Sequence, residues 1–101
     1  MDNEQKQTII TESWKHHNAI EAAYLALDAS AKDPQWPEKQ RLLLADMALH
    51  LLQTALNPEA LDNDKLRNNL YAILTISELY LPDADLAHAK EKLLSFESQE
   101  D

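Results

Sequence analysis

Four histidines and eighteen acidic residues are the side chains of this chain that could carry chemistry. Cysteine is absent, which removes thiolate nucleophiles, disulfides and cysteine metal sites. Acids and histidines recur at helical spacing, as Glu12–His16, His17–Glu21, Asp46–His50 and Asp85–His88. Residues three or four apart share one face of a helix, so each pair could hold a metal ion from one side. Each pair supplies two ligands, however, and zinc takes at least three from the protein. His16 and His17 are adjacent and point about 100° apart, so they cannot chelate together. A site would need two helices to converge, and in so acidic a chain such pairs arise by chance. The sequence is therefore read as holding no metal and no cofactor, and each pair as a surface contact worth a few tenths of a kcal/mol. His17 falls on the apolar stripe of its helix. It is either a boundary histidine bonded to water or a carbonyl, or a pH-sensitive core or interface group.

Catalytic arrangements are equally sparse. Ser13 lies near His16 and His17, but a nucleophilic serine needs a strained turn and an oxyanion hole, and a helix interior supplies neither. Asp46 and Glu78 fall within apolar helices without a nucleophile–base companion. Asp62-Asn63-Asp64 hints at a calcium loop, yet the required glycine is missing and the twelfth position is Ile73. The chain is read as a non-enzyme. The alternative is a small enzyme using Asp46, His50 or Glu78.

The elements that would position these residues are helices. At 101 residues and 45% hydrophobic, the chain makes one domain with a core of its own. Glycine is absent, which excludes Gly-rich phosphate loops and Asn-Gly hairpins. Leu and Ala dominate the apolar set, which favours helix over sheet. The spacing predicts helices over about 8–31, 37–56, 63–81 and 83–96, with residues 1–7 flexible and 97–101 a loose acidic tail. Asp33-Pro34, Trp36-Pro37, Asn57-Pro58 and Pro82 supply the breaks. Pro37 suits the first turn of the second helix. That helix carries an apolar arc of about 220°, from Met47 round to Leu42. Lys39, Asp46, His50, Gln53 and Thr54 mark its water-facing strip, and Leu43 projects into that strip. The expected fold is all-α, a single-domain antiparallel four-helix bundle. The alternative is two stacked helical hairpins of the tetratricopeptide type, although no internal repeat of their period is present.

Formal net charge is −9, with −3 in residues 1–50 and −6 in residues 51–101. Such a surface repels nucleic acid phosphate and anionic membranes. No run approaches the ~20 apolar residues of a membrane span, and the acidic Met1-Asp2-Asn3-Glu4 does not read as a signal peptide. A cytoplasmic location is expected. Asn69-Leu70-Tyr71-Ala72-Ile73-Leu74, Asp83-Ala84-Asp85-Leu86-Ala87-His88-Ala89 and Leu93-Leu94 together loosely resemble flagellin-export chaperones, over about a third of the chain. The resemblance implies a small acidic helical protein that cradles a secreted substrate. It transfers no functional residue. The resulting expectation is a protein–protein interaction module, an adaptor or chaperone. Its partner is another protein, basic or amphipathic-helical, lying across the second and third helices, and a homodimer is a further possibility. Direct nucleic acid or membrane binding is not expected. The candidate contact residues are Trp36, Lys39, Leu43, Asp46, His50 and Tyr71. An alternative role is an inhibitor that mimics nucleic acid through Asp62, Asp64, Asp83 and Asp85, or that neutralises a toxin.

Overall fold

A computed structural model describes residues 1–30 and 32–95. The described chain is all helix: α1 (Asn3–Ala26), α2 (Trp36–Ala55), α3 (Asn63–Ser77), a single 3-10 turn (Pro82–Ala84) and α4 (Leu86–Ser95). Each α-helix packs on the next, α1 on α2, α2 on α3 and α3 on α4. This is the expected all-α, four-helix, bundle-like arrangement. Pairings Ser13–Gln53, His17–Asp46 and Leu27–Lys39 run α1 and α2 antiparallel. Thr54–Asn69 and Pro37–Tyr80 do the same for α2 and α3.

Local chemistry explains where the helices start and stop. Helix α1 begins inside the stretch expected to be flexible, because Asp2 and Gln5 form a capping box. Asp2 accepts from the Gln5 N–H at 2.8 Å, and Gln5 Oε1 accepts from the Asp2 N–H at 2.9 Å. The helix stops at Ala26 rather than near Ala31. Leu27 turns extended, and Asp28, Ala29 and Ser30 continue without helix. Asp33 then knits the turn, its carboxylate accepting from the Ser30 N–H at 2.7 Å. Pro37 does occupy the first turn of α2. Asp62 caps α3, accepting from the N–H groups of Asp64 and Lys65.

Helix α3 ends at Ser77, four residues short of the expected Leu81. A proline ring collides with the carbonyl four residues before it, so Pro82 excludes regular helix from Glu78 onward. Residues 78–80 tighten into turns, and Asp85 takes a left-handed conformation at φ 54° before α4 starts at Leu86 rather than Asp83. In a chain without glycine, Asp is among the few residues that adopt that conformation readily. Ala31, Phe96 and the acidic tail lie outside the described residues.

Two lysines fasten helix ends. Lys39 donates to the Leu27 carbonyl at 2.9 Å and sits 4.6 Å above the Tyr24 ring. Lys90 holds α4 to α3. Its Nζ lies 5.2 Å from the Tyr71 ring centre and 3.0 Å from Glu78 Oε1, the latter an ion pair without hydrogen-bond alignment.

The molecule is open. Its radius of gyration is 15.6 Å and its extents are 44 × 34 × 16 Å, whereas a compact chain of this length has a radius near 13 Å. Its surface is 7148 Å², against about 5,800 Å² for a compact monomer of its mass. Among the described residues, Ile76 is the one buried apolar side chain, at 6% exposure.

The capping box yields the first test. Asp2→Ala should cost the start of α1 about 1 kcal/mol, read as faster amide exchange over residues 3–8. A terminus without helix would show no change.

A polar seam between α1 and α2 as the candidate functional site

The strip of α2 expected to face water faces neighbouring helices instead. Asp46 meets His17 of α1, and Gln53 donates to Ser13 Oγ at 3.0 Å. Thr54 donates to Asn69 Oδ1 of α3 at 2.6 Å, while Lys39 reaches the end of α1 as described. The physical reason lies in α1, which carries Ser13 and His17 on the side it turns to α2. A buried polar group is stable only with a partner, so α2 answers with its own polar residues. Ser13, dismissed as a nucleophile, is 2% exposed and also donates to the Ile10 carbonyl at 2.6 Å.

At the middle of the seam the two separate acid–histidine pairs of the sequence converge. Asp46 Oδ1 accepts from His17 Nδ1, and Asp46 Oδ2 lies 3.4 Å from His50 Nε2. On its other side His17 Nε2 lies 3.2 Å from Glu21 Oε2. The side chains of His17 and Asp46 are 12% and 13% exposed. One donor atom from each of His17, Asp46 and His50 can be chosen so that all lie within 4.8 Å of one another. The rings form an edge-on cluster with Trp14. Trp14 stands 5.1 Å from His17 and 6.3 Å from His50, and the two histidines are 5.1 Å apart. Beside this cluster opens a cleft of about 350 Å³, lined by Trp14, His50, Gln53, Thr54, Asn68 and Asn69 among others.

The six contact residues named from sequence do not form one patch. Lys39, Asp46 and His50 are drawn into the seam. Leu43 lines a small groove with Ile20, Tyr24, Leu25 and Leu42 between α1 and α2. Trp36 is half-buried at the start of α2, and Tyr71 is half-buried under Lys90. Sequence reasoning named Ser13, Glu21 and Gln53 without bringing them together, and missed the role of Trp14. The available signal was that polar residues interrupt the α1 stripe at a spacing matching the polar strip of α2.

Comparison with family models, with curated proteins and with solved structures finds no match for this chain. Among the described residues no helix is long and apolar enough to cross a membrane.

Removing the seam's central acceptor should be far more costly than removing a surface acid. Asp46→Ala takes the acceptor from His17 and the neighbouring carboxylate from His50, and should lower unfolding stability by about 1–3 kcal/mol. Glu38→Ala, which breaks an exposed pair with Arg41 at 3.6 Å, should change it by less than about 1 kcal/mol. Urea denaturation of both variants makes the comparison.

Proposed function

We propose that this chain is a non-enzymatic protein–protein interaction module whose docking surface is the outer face of α2. The observation that carries this reading is an inversion. With its polar strip turned inward, α2 turns the middle of its apolar arc outward. Ala45, Ala48 and Ala55 are exposed there beside Glu38 and Arg41, and every leucine from Leu42 to Leu56 is half-buried. Alanines on an exposed helix let a second helix approach closely, with flanking leucines to grip it. The surface in excess of a compact monomer, on the order of 1,000 Å², is comparable to one side of a standard protein–protein interface.

The fitting partner is an amphipathic helix with basic flanks, given the net charge of −9. An adaptor or chaperone acting in a reducing, cytoplasmic setting is consistent with the absence of cysteine. A nucleic acid mimic has weaker support. Of its four proposed acids, Asp62 is occupied in capping α3 and Asp64 pairs with Arg67 at 3.0 Å.

Ala48→Arg tests the proposal. An exposed helix position should tolerate the change within about 0.5 kcal/mol. Sedimentation of the pure chain and affinity capture from its native cell would be compared with and without it. The expected result is loss of specific partners, or of a dimer if the occupant is a second copy, with helicity intact. An identical partner set and identical mass would contradict the proposal.

A further inference from the structure

We propose that His17, Asp46 and His50 form a binding site for a divalent transition-metal ion, with zinc the best match. Two imidazoles and one carboxylate are a three-ligand zinc set that leaves a fourth position for water or another group. The site joins two helices, so both half-sites must be brought together by the fold. The separation of 3.4 Å between His50 Nε2 and Asp46 Oδ2 matches the span of about 3.3 Å between two donors on one tetrahedral ion with bonds near 2.0–2.1 Å. His17 and Asp46 are in direct contact, and a rotation of the carboxylate about its soft terminal torsion opens that contact to the same span.

The outer partner of His17 is a second observation. Its Nδ1 faces Asp46 and its Nε2 faces Glu21 at 3.2 Å. A cation between Nδ1 and Asp46 takes the Nδ1 lone pair and leaves Nε2–H to donate to Glu21. That is the carboxylate–histidine–metal relay by which outer acids orient metal ligands. The ion's two positive charges also offset the two carboxylates that bracket His17. Calcium and magnesium favour all-oxygen sites and fit poorly. The ion would clip α1 to α2 at the seam. The site is distinct from the outer face of α2, so Ala48→Arg should leave it unchanged and the two proposals fail separately.

The test uses the full chain freed of metal by chelation, titrated with Zn²⁺ by calorimetry and with Co²⁺ by absorption. Trp36→Phe leaves Trp14 as the single tryptophan, and its fluorescence reports Co²⁺ or Cu²⁺ bound among the rings it touches. One ion per chain is expected, with a four- or five-coordinate Co²⁺ spectrum and quenching of Trp14. Zinc at a hundredfold excess over its Kd should raise Tm by on the order of 10 °C. Asp46→Asn and His50→Gln should each weaken binding more than Glu21→Gln, for which about 10- to 100-fold is expected. His16→Gln and His88→Gln, outside the cluster, should bind as the unchanged chain does. Circular dichroism confirms that each variant is folded. No saturable binding, or binding that Asp46→Asn and His50→Gln leave unchanged, would overturn the proposal. So would a six-coordinate, all-oxygen Co²⁺ spectrum, or equal loss in His16→Gln.

Discussion

The carboxylate of Asp46, held between the imidazoles of His17 and His50, sets the orientation of the central helix. Asp46 is poorly accessible to water, so its oxygens must find donors in the protein or the fold loses the free energy of an unmet polar group. One oxygen accepts from His17 of α1, and the other lies 3.4 Å from His50 Nε2 on the same helix. Ser13 and Gln53 repeat the logic below it, and Lys39 with the Leu27 carbonyl and the Tyr24 ring repeats it above. The seam is thus a ladder of specific polar contacts, with Ile20, Tyr24, Leu42 and Leu43 beside its rungs. Such contacts fix register and direction tightly while contributing modest net stability.

That constraint propagates outward. Once the polar strip of α2 is turned inward, the flanks of its apolar arc lie half-buried and the middle of the arc reaches the surface. This accounts for the open shape and the exposed Ala45, Ala48 and Ala55, and for Ile76 being the one buried apolar residue among those described. The two proposals arise from opposite sides of the same helix. The inner side gathers metal-ligating groups, and the outer side offers a surface for another helix. An ion at the seam would stabilise the orientation that exposes the outer face, and so would favour docking there through linkage.

The elements themselves were largely legible. Proline positions marked the breaks, and Pro37 and Asp62 sat where helix starts require them. Boundaries were misread where a local contact outweighed the pattern. The capping box of Asp2 and Gln5 extends α1 backward, and the ring of Pro82 shortens α3 by a full turn. The facing of α2 was misread for a different reason. Hydrophobic periodicity assigns the apolar side to the interior, which holds when neighbours present apolar faces. Helix α1 sets Ser13 and His17 among the apolar residues of its stripe. The pairs His17–Glu21 and Asp46–His50 were visible separately, but their convergence depends on an antiparallel register that no single helix reveals.

The central claim is that α2 packs polar side inward. A chain without cysteine allows a direct measurement, because a single introduced thiol is the only reactive one. Alkylation rates of Ala48→Cys and Thr54→Cys, taken where the chain sediments as a monomer, compare the two sides of the helix. The thiol of Ala48→Cys should react at nearly the rate of an unfolded control, and that of Thr54→Cys roughly a hundredfold slower or more. A protected thiol in Ala48→Cys together with a fast one in Thr54→Cys would contradict the account.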